Sequence, residues 1–347
     1  MKTLRLKVRT EEAAQDHPAI SEAAAILKRG GLVAIPTETV YGLAANALDA
    51  EAVERIFEVK ERPSWDPLIV HVAHFEMIKR VAAGFPQQAR EVAERFWPGP
   101  LTLLLKRSSQ LPLAVTAGRE SVAVRMPAHP VARAVIAAAD LCLAAPSANR
   151  FGTTSPTTAE HVLNDLEGRI DAVLDSGPTN IGVESTVVDV LRSPPLLLRP
   201  GGVTREELEE VIGPIEMYST RSKSVQEGAA SPGLAQRHYA PKARLLVVPG
   251  TREALLEAIA QEVASAGDGE YVGVMTPEDW LDERMLAGGG LVIFDWGQWG
   301  NYTLLAHNLF AGLRFLDKPG VTVIVCPMPA EEGLGLALRD RLLRASR

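Results

Sequence analysis

The sequence predicts an α/β protein of two domains: a mixed α/β domain with a twisted sheet, then a smaller doubly wound α/β domain. Three observations carry this. At 347 residues the chain exceeds one average domain. Up to Gly213, strand-like and helix-like patterns are interleaved without strict alternation, whereas beyond Ala243 they alternate regularly. Between the two, Pro214 to Ala243 is dominated by polar and small residues, with Pro232-Gly233 and Pro241, and shows hardly any apolar period. The expected boundaries are therefore residues 1–213, a linker over 214–243, and residues 244–347. A connection of that length inside a folded protein points to a functional or disordered segment.

In the first domain, Ile20, Ala23, Ala24 and Leu27 recur at helical spacing between Pro18 and Arg29, and Gly30-Gly31 ends that helix. Leu32-Val33-Ala34-Ile35 reads as a buried strand. The polar stretch Pro36-Thr37-Glu38-Thr39-Val40-Tyr41-Gly42-Leu43 then leads to a helix over Ala50 to Lys60, stopped by Pro63. Strands are expected at Leu68 to Val72, Leu101 to Leu105, Val122 to Arg125, Leu141 to Ala144, Ala172 to Leu174, Ser185 to Val190 and Leu196 to Arg199. Two short helices fill Phe75 to Phe96. Others cover Pro130 to Ala138 and Thr157 to Leu166, the last capped by Thr157 or Thr158.

In the second domain, strands at Leu245 to Val248, Val272 to Met275, Leu291 to Asp295 and Val321 to Cys326 alternate with helices at Arg252 to Ala264, after Pro277, at Leu304 to Leu316 and from Gly333. This is a Rossmann-like pattern.

Composition narrows the function. Hydrophobic content of 46% with 23% charged residues is ordinary for a globular protein, and a net charge of -7 argues against a general nucleic-acid coat. Cys142 and Cys326 fall in apolar runs and are expected as buried hydrophobes. GxxxxGK[ST], a helix-opening GxGxxG, HExxH and GxSxG are all missing. His71 and His74, three apart on a strand, would point to opposite faces, which disfavours a metal pair. No apolar leader follows Met1, and the apolar stretch Val131 to Pro146 is interrupted by Arg133 and Asp140, so a cytoplasmic protein without a membrane span is expected.

Polar clusters at the ends of apolar strands are the recurring theme. Two threonines, a carboxylate and a tyrosine follow the Leu32–Ile35 strand, where open α/β sheets bind their ligands. Lys60 and Arg62 end a helix and, taken alone, read as a solvated cap. Arg125 closes a strand that begins at Ser121; Ser147 and Asn149 follow another; Ser155 opens a helix; Ser185 precedes a strand and Arg199-Pro200-Gly201-Gly202 follows one. Together they supply the cations and hydroxyls that a polyphosphate pocket requires.

As an ordered set, the Pro36–Leu43 stretch, Lys60-x-Arg62-Pro63 with Pro67-Leu68-Ile69-Val70-His71, Val122-Ala123-Val124-Arg125-Met126-Pro127, Pro146-Ser147-Ala148-Asn149, Ser155-Pro156-Thr157, Glu184-Ser185-Thr186-Val187-Val188-Asp189 and Leu198-Arg199-Pro200-Gly201 resemble the Sua5/YrdC family of L-threonylcarbamoyladenylate synthases. Ser231-Pro232-Gly233 and Arg237-His238-Tyr239-Ala240-Pro241, ahead of a small α/β domain, resemble its long, two-domain form.

The resemblance implies that ATP, L-threonine and bicarbonate become threonylcarbamoyl-AMP and pyrophosphate, with Mg²⁺ accompanying ATP. Downstream proteins would then transfer the group to tRNA. It places Thr39, His71, Arg125, Ala145 and Ser185 on the threonine side. Arg62, Asp66, Ser121, Ser147, Asn149, Ser155 and Arg199 fall on the nucleotide side, with Lys60 and Arg62 stabilising charge near the phosphates. His238 or Tyr239 of the linker would fold over the nucleotide as a lid. Position 66 is Asp where the family usually carries Asn, which adds negative charge near a triphosphate. No covalent nucleophile is implied.

Two other readings belong beside this one. A double-stranded RNA or tRNA binder of the same fold is disfavoured by the acidic net charge. A carbamoyl-transferring domain of a hydrogenase maturation factor would bring zinc-finger-like cysteines, and the chain has two cysteines in all.

Overall fold

The computed structural model describes residues 2–218, 238–280 and 289–347. The chain divides into two compact units. Of the described residues, the first holds 2–151, 155–180 and 184–218, and the second holds 152–154, 181–183, 238–280 and 289–347.

The first unit is built on an eleven-stranded mixed sheet. Its strands are β1 (Leu4–Lys7), β2 (Val33–Ile35), β3 (Gly42–Asn46), β4 (Ile69–His71), β5 (Leu101–Lys106), β6 (Ser121–Arg125), β7 (Leu143–Ala144), β8 (Ala172–Asp175), β9 (Thr186–Asp189), β10 (Leu196–Arg199) and β11 (Glu216–Met217). They lie in the order β1-β8-β2-β3-β7-β4-β6-β5-β9-β10-β11. Parallel pairs (β1–β8, β4–β6, β5–β9) and antiparallel pairs (β2–β3, β5–β6, β9–β10) are mixed, as irregular alternation in the sequence implied.

Around the sheet lie α1 (Pro18–Lys28), α2 (Ala50–Lys60), α3 (Ile78–Val81), α4 (Gln87–Phe96), α5 (Leu113–Thr116), α6 (Pro130–Ala139), α7 (Ala159–Leu166) and α8 (Arg205–Ile212). Helices α1 and α6 start alike: proline takes the first turn, where its missing N–H costs nothing, and the ring of the preceding histidine accepts a backbone N–H. The helix-facing apolar stripe of α1, Ile20, Ala23, Ala24 and Leu27, is buried in the main core with Val33, Leu43 and Val135. Each such Ile or Leu contributes about 1.5–3 kcal/mol on burial.

Beside β1, α5 and α8, which the sequence patterns did not single out, two elements depart from expectation. The Pro36–Leu43 stretch does not lead straight into a helix: Gly42–Asn46 forms β3, antiparallel to β2 and paired on its other edge with β7. Its small residues Gly42, Ala44 and Ala45 lack the β-branched signature of a strand, but as an interior strand it is almost wholly buried. The polar composition from Pro214 also does not end the sheet at once, because Glu216–Met217 pairs in parallel with β10.

The second unit has a four-stranded parallel sheet of β12 (Arg244–Val248), β13 (Tyr271–Pro277), β14 (Leu291–Gly297) and β15 (Val321–Pro327), ordered β12-β15-β13-β14. Helix α9 (Arg252–Ser265) covers the face bearing Val272, Val274, Val323 and Val325. On β13 the alternate residues Gly273 and Met275 meet α10 (Tyr302–Leu316), through Leu316 and Gly312 respectively, and α11 (Gly333–Ala345) packs on α10. Helices on both faces of a parallel sheet make this the expected doubly wound layer. After Pro277 the chain enters a short 3-10 turn, Glu278–Trp280, and the remainder of the helix expected there lies outside the described residues. Cys142 and Cys326 are free and buried.

Candidate active site

The β2–β3 connection is held in shape by one hydroxyl. Thr37 Oγ1 accepts from the backbone N–H groups of Thr39 and Val40 at 3.2 Å each and donates to Val40 O at 2.6 Å. This turn, local and sequence-encoded, presents Glu38 and Thr39 together. Beyond it the loop is anchored by Tyr41, whose N–H donates to Pro156 O and whose hydroxyl donates to Gly177 O at 2.7 Å.

Arg125, the last residue of β6, reaches this loop. Its Nη2 donates to Glu38 Oε1 at 2.7 Å, its Nη1 to Thr39 Oγ1 at 3.0 Å and its Nε to Gly99 O at 3.2 Å. Both partners of the Arg125–Glu38 ion pair are buried. Of the five guanidinium N–H groups, three are thereby committed and two are left to meet a ligand.

Strand register brings the neighbours in. His71 lies directly opposite Arg125 across β4–β6, and Thr102 opposite it across β5–β6. Thr102 Oγ1 is 2.8 Å from Ser185 Oγ, and Ala145 donates its N–H to Ile69 O. Thr39, His71, Arg125, Ala145 and Ser185, spread over 147 residues of sequence, thus line up along adjoining strand ends.

Burial pushes Glu38 up, but the Arg125 guanidinium together with the backbone N–H groups of Glu38 and Ala128 outweighs it and holds the carboxyl below its ordinary 4.5. Burial and the Arg125 charge push His71 down to about 3, so its ring is neutral at physiological pH.

The second cluster surrounds Asp66. Arg62 donates through Nε to Asp66 O at 3.1 Å and through Nη2 to Pro67 O at 2.8 Å, and Nη2 also lies 3.0 Å from Asp66 Oδ2. Burial raises the Asp66 carboxyl, while Arg62, Lys60, Arg199 and Arg119 pull it down without prevailing. Lys60 is fully buried. Its Nζ donates to the carbonyls of Ser147 and Asn149 and its own carbonyl accepts from Phe151 N, so it clasps the loop that follows β7.

The solvated-cap reading of Lys60 and Arg62 is therefore corrected. A helix end is usually wet, but here the 147–151 loop folds across it and both side chains are buried. Burial and the nearby Arg62 lower the Lys60 pKa strongly. Ser155 Oγ donates to Glu184 Oε1 at 2.6 Å, and Arg199 Nη2 donates to Ser185 O at 2.9 Å. Gly201 permits the turn after β10 to lie against the Glu184–Thr186 backbone, since a Cβ there would fall 2.3 Å from Glu184 O.

This geometry coincides with close sequence likeness. The Sua5/YciO/YrdC profile, described as "Telomere recombination", matches residues 25–201. A second profile, the threonylcarbamoyl-AMP synthase C-terminal domain, matches 203–347. The threonylcarbamoyl-AMP synthase of Pyrococcus abyssi is 46% identical over 326 residues, covering 93% of each chain. That of Bacillus subtilis is 43% identical over 348 residues, covering 100% of this chain and 98% of its own. The chain belongs to the Sua5/YrdC family. Among solved structures, P. abyssi Sua5 complexed with L-threonine superimposes with a TM-score of 0.89 at 43% identity, covering 100% of this chain and 98% of that one.

Within this Sua5/YrdC chain, the first unit gathers Thr39, His71, Arg125, Ala145 and Ser185 into one cluster, and Lys60, Arg62 and Asp66 with the Ser147–Asn149 loop into another. Ser121 opens β6, four residues before Arg125 and half-buried. Arg199 bridges the two clusters by holding Ser185 while contributing to the potential at Asp66.

His238 and Tyr239 lie in the second unit. Tyr239 takes a left-handed backbone (φ 64), packs on Phe310 and lies under the Arg341 guanidinium, whose carbon is 5.3 Å from the ring centre. Ser231-Pro232-Gly233 and Arg237 lie outside the described residues. Glu184 and Arg119 had no site role in the sequence reading, and Glu38 entered it only as the carboxylate of the polar stretch after the Leu32–Ile35 strand. Glu38 stands inside the first motif, and its partner is 87 residues away.

Proposed function

We infer that the protein is a threonylcarbamoyl-AMP synthase, joining ATP, L-threonine and bicarbonate and releasing pyrophosphate. The observation that carries this is Arg125: a buried guanidinium at a strand end with two N–H groups uncommitted, the number a carboxylate takes bidentately. Threonine's carboxylate seats there, with Thr39, neutral His71 and Ser185 around it.

The threonine ammonium first loses a proton to solvent. The free amine then attacks the bicarbonate carbon and a C–N bond forms. The bond from that carbon to its hydroxyl breaks, the hydroxyl leaves as water with a proton from the nitrogen, and N-carboxythreonine results. Its new carboxylate oxygen attacks the α-phosphorus of ATP in line as the bond to pyrophosphate breaks. The enzyme's contribution is positioning and charge stabilisation by the cations around Asp66.

Mg²⁺ enters this reading only as part of the ATP substrate. Among the described residues there is no group of three or more His, Cys, Asp or Glu side chains able to hold it. His238 and Tyr239 are proposed to act on nucleotide retention, and the product to be consumed by proteins that modify tRNA. Whether tRNA binds directly is a matter for salt-dependent affinity. Among the described residues no helix is long and apolar enough to cross a membrane; a cytoplasmic location is proposed.

The test is pyrophosphate release from ATP with L-threonine and bicarbonate omitted singly. Release that needs both, with L-serine a poor substitute, is expected. Release independent of threonine, or none from folded protein, would remove the reading.

A further inference from the structure

Glu38 carries an oddity that the inferred reaction does not absorb. Its Oε1 is paired with Arg125, but its Oε2, buried in the same place, has no partner at good hydrogen-bond geometry, the backbone N–H groups of Glu38 and Ala128 favouring the carboxylate only from its surroundings. An unsatisfied carboxylate oxygen in a protein interior is costly, and such groups call for an explanation. The residue cannot evade the cost by taking up a proton, because Arg125 keeps it ionised. A buried anion with one free oxygen is therefore maintained beside a cation with two free N–H groups.

We propose that Glu38 is the receptor for the amino group of the amino-acid substrate, its Oε2 accepting from the ammonium while Arg125 holds the carboxylate. The proposal rests on the threonine reading of Arg125. An α-amino acid carries its two charges on adjacent atoms of one carbon. The Glu38–Arg125 pair offers the complementary charges side by side, joined through Oε1 and Nη2 at 2.7 Å. Thr39 Oγ1, itself on Arg125 Nη1, fixes the spacing.

The role is charge recognition and not proton removal, since a carboxylate held below its ordinary range is a poor base. Once the nitrogen has become a carbamate it is anionic and is repelled by Glu38, which turns it towards the cations around Asp66.

Two simpler explanations compete. Glu38 could serve only to hold Arg125 in place, or its Oε2 could be satisfied by a trapped water. The experiment that separates them is calorimetric titration of wild-type protein and Glu38→Gln with two ligands. One is L-threonine; the other is 2,3-dihydroxybutanoate, in which a hydroxyl replaces the amino group while the carboxylate and the 3-hydroxyl are kept.

Wild type should prefer threonine by about tenfold or more, the order expected when a buried charge loses its partner. Glu38→Gln should lose that preference, with binding of the analogue unchanged or tighter. A parallel loss of both ligands in Glu38→Gln would show that Glu38 acts only through Arg125 and would overturn the proposal. Equal affinity of wild type for the two ligands would also overturn it, and that arm requires no variant to fold. If wild type binds neither ligand, the threonine reading of Arg125 fails, and this proposal fails with it.

Discussion

The two polar clusters of the first unit treat charge in opposite ways. Around Arg125 the account is balanced: one guanidinium, one carboxylate, and a histidine that burial keeps neutral. Around Asp66 it leans positive, because Arg62, Lys60, Arg199 and Arg119 all act on that carboxylate, although burial disfavours the charge on Lys60 and Asp165 acts on it as a second carboxylate. A balanced pair suits a zwitterion, which brings equal and opposite charge. A surplus of cations suits a polyphosphate, whose charge nothing on the protein needs to match in advance. The contrast also fits the local structure. The balanced pair is made by a strand end and the tight β2–β3 turn, whereas the cationic cluster is assembled from a helix end, a strand end and loops.

The comparison can be broken most directly at Arg125. Arg125→Lys keeps the charge that stabilises Glu38 but offers no bidentate fork, so threonine-dependent pyrophosphate release should fall by about 100-fold, corresponding to roughly 3 kcal/mol for a lost pair of charge-assisted hydrogen bonds. ATP affinity, set at the other cluster, should stay within about twofold. An equal loss of ATP affinity would show that the clusters are not separate.

A smaller effect is expected at Asp66. Asp66→Asn adds one unit of net positive charge where the phosphates are proposed to lie, and ATP should bind about three- to tenfold more tightly, less than the ~2 kcal/mol of an unscreened charge roughly 8 Å away at an effective dielectric of about 20. Weaker ATP binding, measured at constant ionic strength, would mean that holding Arg62 in place matters more than the charge.

Smaller again is the stability signature of Glu38. Its folded pKa lies below the ordinary 4.5, so its contribution is fully present above that value and is lost as pH falls through the folded value. In denaturant melts, wild type should therefore lose stability below pH 4.5 more steeply than Glu38→Gln, and the two should run parallel from pH 5.5 to 8. A difference that grows towards alkaline pH would have the wrong sign for a depressed carboxylate.

Most of the fold was legible because its signals are local. Apolar spacing gives α1, α2 and α6, and β-branched runs give β4, β6 and β15. β3 was not legible, since Gly42, Ala44 and Ala45 owe their strand to neighbours on both edges and not to their own preference. The edge strand β11 hid in a polar stretch for the same reason.

In the site, strand-end residues such as Arg125 could be picked out by position, but the pairing of charges could not. Glu38 with Arg125, Ser155 with Glu184, and Lys60 with the carbonyls of Ser147 and Asn149 are contacts between distant segments. Lys60 shows the limit most plainly. From sequence it is a cation at a helix end, and only the loop folded across it turns that end into an interior.

The finest distinction between the clusters concerns protonation, and His71 tests it with the smallest expected effect. Its ring is buried against Arg125 and its Nδ1 makes no hydrogen bond to protein. Protonation would place a second positive charge beside a guanidinium already present, so the ring should titrate near pH 3, far below an ordinary histidine. Between pH 5 and 8 its NMR ring-proton shifts should therefore be flat, and the pH dependence of threonine affinity should carry no inflection from it. The outcome bears on mechanism: a neutral imidazole adds polarity without adding charge, and the balance at Arg125 survives across the working range. An inflection near pH 6 to 7, present in wild type and absent in His71→Gln, would show that the threonine cluster gains a charge on acidification and that the contrast with the Asp66 cluster is a matter of degree.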